Sequence, residues 1–191
     1  MTRVALMWHM HQPFYQDLVT GDHLLPWVRM HAIKDYWGMV ALLREFPTMR
    51  ATFNLVPSLL VQLQAFANEE ARDRHLDVGL KPADALTHEE RLFCLDEYFH
   101  AHGPRMITPY RRYDELQRKR ALVGRNPAAF TTDEFRDLQV WHKLCWVDPY
   151  FLDADPRVRA LLDKGQYFSE ADKRLLREVE LDLLRQIGRA H

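Results

Sequence analysis

The sequence predicts an α/β fold: the N-terminal part of a parallel-sheet enzyme domain, with two visible strands and a large helical insertion. Three observations lead to this prediction. An apolar run occupies residues 4–8, a second β-prone run occupies residues 50–55, and apolar residues at helical spacing separate them. Beyond residue 70 the strand pattern gives way to helical spacing. Because a helix connects the two strands, they are expected to pair in parallel.

The first strand ends at two histidines. Residues 3–8, Arg-Val-Ala-Leu-Met-Trp, predict a buried parallel strand, and pairing should stop near Pro13, which cannot donate to a sheet ladder. Side chains two positions apart on a strand share a face, so His9 and His11 are expected to converge where strands of α/β folds deliver functional groups. In the alternative, one histidine caps local backbone and the other is simply exposed.

The second strand is predicted at residues 50–55 and ends before Pro57. Between the strands and again after Pro57, apolar residues recur at helical spacing and predict one helix in each interval. These residues are Ile33, Tyr36, Trp37, Val40 and Leu43 in the first helix, and Leu59, Leu60, Leu63 and Phe66 in the second. Residues 1–68 are therefore expected to form a βαβα start.

Residues 69–191 are predicted to be mostly helical. Three segments begin with a hydroxyl residue three positions before a carboxylate, the reciprocal capping arrangement that opens helices. The pairs are Thr87 with Glu90, Thr131 with Glu134, and Ser169 with Asp172. The stretch 103–113 is expected to be a loop or a short helix. Because two strands cannot complete an α/β sheet, the chain is expected to be the front part of a larger enzyme domain.

The composition limits which classes of partner and which cellular compartment are expected. The 191 residues carry a formal net charge of −1, with 28% charged and no long block of one sign, which argues against nucleic acid or an anionic membrane as partner. No apolar stretch forms a secretory leader or approaches the ~20 residues of a membrane span, so a cytoplasmic protein is predicted. Cys94 and Cys145 are expected to be buried as small hydrophobic side chains. No metal site and no cofactor are predicted, and the oligomeric state is left open.

Five segments resemble a known family. The segment Trp-His-Met-His-Gln-Pro at 8–13, the segment 25–36 that begins Leu-Pro-Trp-Val-Arg, and the segment 52–60 that begins Thr-Phe-Asn-Leu-Val-Pro are similar to the N-terminal region of glycoside hydrolase family 57. Residues 135–141 and 146–149 resemble the amylopullulanase-like or α-amylase-like branch of that family. The resemblance extends over essentially the whole chain.

The resemblance implies an incomplete (β/α)7 barrel that acts on α-glucans, such as starch, glycogen or maltooligosaccharides, with retention of anomeric configuration. It also implies that His11 contacts the sugar in the subsite where the bond is cut, and that Gln12 holds His11 or a neighbouring sugar hydroxyl. An imidazole at a strand end can bind a sugar hydroxyl more strongly as the sugar ring becomes oxocarbenium-like. Amylase, amylopullulanase, transferase and branching activities all stay open.

Five further residues complete the predicted substrate-binding set. They are His9, Trp27, Arg29, His31 and Asn54. Residues 27–31 lie where the chain enters the first helix, and Trp27 is expected either to stack on a sugar or to anchor the loop. Asn54 ends the second strand, and it is expected either to face the sugar or to cap the turn before Pro57.

No catalytic residue is assigned within the chain. Retaining hydrolysis needs two carboxyl groups about 5 Å apart, one as nucleophile and the other as acid and then base. In the family these are a Glu and an Asp on later strands, which would place them beyond residue 191. The chain as given is therefore expected to be inactive alone.

Two other functions stay open. A His-x-His sequence at the end of a first strand also begins the metal site of some metal-dependent hydrolases, which would use His9 and His11 as ligands. A non-catalytic glucan-binding remnant would keep the same site residues and bind glucan without turnover.

Overall fold

The computed structural model describes residues 4–189, with side chains described through Ile187. The chain divides into two compact units. The first unit comprises the residues up to Arg74 together with those from Glu180 onward, and the second comprises His75–Val179. Helix α10, Glu170–Arg189, contributes residues to both units.

The first unit contains a two-stranded parallel sheet, as predicted. Strand β1 spans Met7–Met10, strand β2 spans Thr52–Leu55, and His9 lies opposite Asn54 in the register. Both strands are shorter than the apolar runs that predicted them, and Arg3 lies outside the described residues. The prediction that two strands separated by a helical interval pair in parallel is thus confirmed.

The prediction that the first strand is buried was wrong. Side chains alternate across the sheet, and only one face is packed: Met10, Phe53 and Leu55 contact the apolar core. The other face carries Met7, which is 67% exposed, and His9, which is also exposed. An apolar run alone cannot distinguish a strand covered on both faces from one covered on a single face.

Helices occupy both predicted intervals of the first unit. Helix α1 (Trp27–His31), a π-helical segment (Ala32–Tyr36) and helix α2 (Trp37–Glu45) follow one another without a break between the strands. Helix α3 (Pro57–Ala67) follows β2, with proline in its first turn, where the missing N–H has no helical acceptor to lose. The core includes Met10, Val28, Tyr36, Leu59, Leu63, Phe66 and Leu184.

The second unit is helical in the residues described. Its helices are α4 (Arg74–Leu80, whose first residue belongs to the first unit), α5 (His88–Glu97), α6 (Arg111–Val123), α7 (Thr132–Leu144), α8 (Pro149–Ala154), α9 (Pro156–Lys164) and the first half of α10. Short 3₁₀ or π segments lie at Ala83–Ala85, Gly103–Ile107 and Pro127–Ala129. The stretch 103–113 thus holds a short π segment and the start of α6, which continues to Val123.

All three predicted helix starts are confirmed. In each, the hydroxyl oxygen accepts a hydrogen bond from the backbone N–H of the acidic residue, and the carboxylate accepts one from the backbone N–H of the hydroxyl residue. The pairs are Thr87–Glu90, Thr131–Glu134 and Ser169–Asp172. Local capping chemistry therefore determines where α5, α7 and α10 begin.

Cys94 and Cys145 are buried free thiols, as predicted. They lie in the second unit, at α5 and just after α7. Across residues 4–189, no helix combines the length and the apolar character needed to cross a bilayer.

Candidate active site

The carboxyl ends of β1 and β2 bring three polar side chains together. The amide nitrogen of Asn54 lies 2.8 Å from Nδ1 of His9, directly across the strand pair. The His9 and His11 rings stack with centroids 5.5 Å apart and planes inclined by 24°. All three side chains are exposed. The two imidazoles therefore converge, as the alternation of side chains along a strand predicted.

The loop after β1 is fixed by a buried glutamine of α3. Gln62 is 1% exposed; its amide donates to the carbonyl of Pro13 at 3.0 Å and accepts from the backbone N–H of Tyr15 at 2.8 Å. The Tyr15 hydroxyl in turn donates to Oε1 of Gln12 at 3.0 Å. Gln12 is therefore half-buried and held by the loop, beside the exposed His11. Gln62 was not predicted as a site residue, although an amide among the apolar residues of α3 is a signal of a buried polar contact.

A second group of site residues lies at the start of the helix between the strands. Trp27 and His31 are half-buried, with ring centroids 6.3 Å apart. Nδ1 of His31 lies 2.6 Å from Oδ2 of Asp35, and the ammonium of Lys34 lies 2.7 Å from Oδ1 of the same carboxylate. Burial acts to raise the pKa of Asp35, but the hydrogen bonds from His31 and Lys34 outweigh it and lower that pKa. The Asp35 carboxylate is thus held ionised beside His31.

Tyr36 connects the two groups. Its hydroxyl donates to the backbone carbonyl of His11 at 3.5 Å and also interacts with the Gln12 side chain. Its ring lies 6.5 Å from that of His31. Burial raises the pKa of Tyr36, so its hydroxyl stays protonated and available as a donor at neutral pH. The predicted residues His9, His11, Gln12, His31 and Asn54 therefore belong to one connected set of contacts.

Arg29 does not belong to that set, and its prediction as a substrate-binding residue needs correction. Its side chain is fully buried, with Nε 3.0 Å from Oδ2 of Asp73. A second nitrogen of the same guanidinium donates to the Glu180 carboxylate. Because arginine side chains are mostly exposed in proteins, Arg29 was expected to be accessible where the chain enters the first helix. Here the guanidinium is enclosed with two carboxylates of the first unit and cannot reach a ligand at the strand ends.

Neither strand end supplies a carboxylate. Residues 11–16 and 56–68 contain no aspartate or glutamate. The first acidic residue after β1 is Asp17, whose Oδ1 accepts from the backbone N–H groups of Val19 and Thr20 and so closes a local turn. Among the side chains described, no group of three His, Cys, Asp or Glu residues is arranged to hold a metal ion. The strand ends therefore offer imidazoles and amides, and the start of the helix adds the Trp27 indole and the Asp35 carboxylate.

A family model described as Glycosyl hydrolase family 57 matches residues 5–176, which is most of the chain. The chain belongs to this family. The resemblance given by the His-Gln-Pro and Leu-Pro-Trp-Val-Arg segments is thereby confirmed, whereas the amylopullulanase-like branch stays a prediction. Comparisons with curated proteins and with solved structures found no match.

Family 57 consists of enzymes that act on glycosidic bonds, as hydrolases or transglycosidases. Their substrate class is carbohydrate. The polar groups at the strand ends suit such a substrate. Sugar hydroxyls both donate and accept hydrogen bonds, and imidazole and amide groups do the same. In this member of family 57, the exposed cluster formed by His9, His11 and Asn54 is the best candidate for contact with the sugar.

Proposed function

We propose that this chain forms part of the saccharide-binding site of a family 57 enzyme that acts on α-glucans with retention of configuration. The observation that carries the proposal is the exposed cluster of His9, His11 and Asn54 at the carboxyl ends of two paired parallel strands. In this proposal the first unit is the beginning of the catalytic barrel, and His75–Val179 is a helical insertion into it. Functional groups of such barrels lie at this end of the strands.

Each proposed contact follows from the chemistry of its side chain. His11 and His9 hydrogen-bond sugar hydroxyls, and these bonds strengthen as the ring being cleaved becomes oxocarbenium-like. The half-buried indole of Trp27 offers an aromatic face against which a sugar packs. Gln12, held by Tyr15, positions the backbone that carries His11.

We propose that the 191-residue chain binds glucan without cleaving it. Retaining hydrolysis needs two carboxyl groups about 5 Å apart, and the two strand ends contribute neither. The nucleophile and the acid then come from further strands of the complete enzyme. The alternative of a metal-dependent hydrolase predicts stoichiometric zinc or manganese bound through His9 and His11.

The binding test is calorimetric titration of the full 191-residue chain with maltoheptaose. We expect saturable binding, weakened about five- to tenfold in His11→Ala and in His9→Ala, because each loses one or two hydrogen bonds of about 0.5–1.5 kcal/mol. His88→Ala, at an exposed histidine of α5, is the matched control and should bind like the unmodified chain. Absence of binding, or equal binding by all the variants, would contradict the proposal.

The turnover test is incubation of the same chain with soluble starch, followed by assay of reducing ends. We expect no more reducing ends than in the blank. Substantial hydrolysis would show that the essential acids are present in this chain. Elemental analysis of the purified protein for zinc and manganese, repeated on the His9→Ala variant, distinguishes the metal-dependent alternative.

A further inference from the structure

Two imidazoles of the candidate site are held at Nδ1 by side chains of opposite hydrogen-bonding character. Asn54 presents its amide nitrogen to Nδ1 of His9 at 2.8 Å, whereas Asp35 presents a carboxylate oxygen to Nδ1 of His31 at 2.6 Å. An amide nitrogen only donates, and an ionised carboxylate only accepts. The two contacts therefore impose opposite requirements on the two rings.

Each requirement determines which ring nitrogen carries the proton in the neutral imidazole. Because Nδ1 of His9 must accept, its proton is on Nε2; because Nδ1 of His31 must donate, its Nε2 keeps the lone pair. We infer that Asn54 and Asp35 are positioning residues that fix opposite tautomers of His9 and His31. The site then presents an N–H donor at His9 and a lone-pair acceptor at His31.

The two carboxylate oxygens of Asp35 have different partners. Lys34 binds the oxygen that His31 does not use, and the carboxylate is only 24% exposed. Asp35 also lies in the π-helical segment Ala32–Tyr36, a rare conformation that is frequent at functional sites. The contact between His31 and Asp35 therefore joins the end of α1 to this π-helical segment.

Both Nε2 atoms belong to side chains that solvent reaches. His9 is exposed, and one third of the His31 side chain, 33%, is exposed. The rings are linked through Tyr36, whose ring neighbours His31 and whose hydroxyl bonds the backbone of His11, the residue stacked on His9. One donor and one acceptor match the hydroxyls of a polyol, whereas a carboxylate ligand can only accept and an ammonium ligand can only donate.

The tautomers are read directly by long-range ¹H–¹⁵N spectra of the full chain labelled at histidine. Spectra are recorded at about pH 8, where an ordinary histidine is neutral, and His9→Gln and His31→Gln variants assign the two signals. We expect His9 protonated on Nε2 and His31 protonated on Nδ1. Asn54→Asp, which replaces the donor by an acceptor, should move the His9 proton to Nδ1. Asp35→Ala should move the His31 proton toward Nε2, the form that an unconstrained side chain prefers.

Two matched controls accompany these variants. Asn68→Asp makes the same chemical change at an exposed position of the first unit, and Lys34→Ala removes the other partner of Asp35 while leaving the carboxylate. Neither should change a tautomer. The inference is overturned by the opposite tautomer at either ring in the unmodified chain, or by unchanged tautomers in both Asn54→Asp and Asp35→Ala.

The role of these tautomers in recognising sugar depends on the proposed function, but the spectra do not. They are recorded without sugar, so failure of maltoheptaose to bind refutes the proposed function and leaves the tautomers established. The spectrum of the unmodified chain tests the inference even where a variant does not fold.

Discussion

Arg29 and Asp73 form a two-point ion pair with both side chains fully buried. Nε of Arg29 lies 3.0 Å from Oδ2 of Asp73, and Nη2 lies 3.2 Å from Oδ1. The remaining terminal nitrogen, Nη1, donates to Glu180 on α10. Burial acts to lower the pKa of Arg29, but the two carboxylates outweigh it and raise that pKa, so the charge is retained at all ordinary pH values.

Replacing Arg29 by methionine should lower the free energy of unfolding by about 3–5 kcal/mol, because the substitution leaves two carboxylates buried without this cation. Arg29→Lys keeps the charge but not the two-point geometry and should be intermediate. Urea titration followed by circular dichroism measures the effect. Arg50→Met, at an exposed arginine of the same unit, should stay within about 0.5 kcal/mol of the unmodified chain. Equal stability of Arg29→Met and Arg50→Met would refute a structural role for the pair.

His23 should make the first unit less stable in mild acid. It is 2% exposed, its ring lies 4.7 Å from that of Phe66, and neither ring nitrogen has a hydrogen-bond partner among the residues described. Burial lowers its pKa, although Asp73 and Asp22 oppose the shift. As pH falls below about 6.5, the unfolded chain binds this proton before the folded one does. Stability is therefore lost as pH falls through that value toward the lower pKa of the folded state.

His23→Leu removes this contribution, so its free energy of unfolding should decline less between pH 7 and pH 5 than that of the unmodified chain. Denaturant titrations across that pH range provide the measurement. His88→Leu, at an exposed histidine, should retain the original slope. Parallel pH profiles for the unmodified chain and His23→Leu would show that His23 does not contribute.

Cys94 and Cys145 should be inert in the folded protein. Burial raises the pKa of each thiol to about 12, so almost no reactive thiolate exists at neutral pH. Ellman's reagent at about pH 8 is expected to react slowly with the native chain. After denaturation in guanidinium, it should react readily with both thiols. Rapid release of the chromophore from native protein would contradict the burial of one or both residues.

Removing a capping hydroxyl should destabilise the second unit. Thr131→Ala removes the side-chain acceptor at the start of α7 and should cost about 1 kcal/mol of unfolding free energy. Thr132→Ala makes the same substitution one residue later, inside the helix, where alanine is favourable. Urea unfolding monitored at the tryptophans compares the two variants. If they lose the same amount, the cap does not determine this helix start.

Features that depend on neighbouring residues could be predicted from the sequence. The capping pairs act over three positions, and the shared face of His9 and His11 follows from the two-residue period of a strand. The π-helical turn before Trp37 could not be predicted, because the apolar spacing of this interval also fits a regular α-helix. Helix α6 was also missed beyond its start, because it is rich in charge and carries little apolar periodicity.

The missed parts of the candidate site depend on contacts between distant residues. Arg29 meets carboxylates 44 and 151 residues further along the chain, and no local pattern distinguishes it from an exposed arginine. Gln62 reaches back 49 residues to the carbonyl of Pro13. The contact of His31 with Asp35 is different, since the two residues lie four positions apart, a spacing that brings side chains together on a helix.

The contact of Arg29 with Glu180 also has a consequence for how the protein is made. At translation rates of about 5–20 residues per second, the 151 positions from Arg29 to Glu180 take roughly 8–30 s to synthesise. Asp73 is made 44 positions after Arg29, but until Glu180 is made the nascent first unit lacks its second carboxylate and the end of α10. Ribosome-bound chains that end before Glu180 should therefore be cleaved more readily by protease within the first unit than the released 191-residue chain.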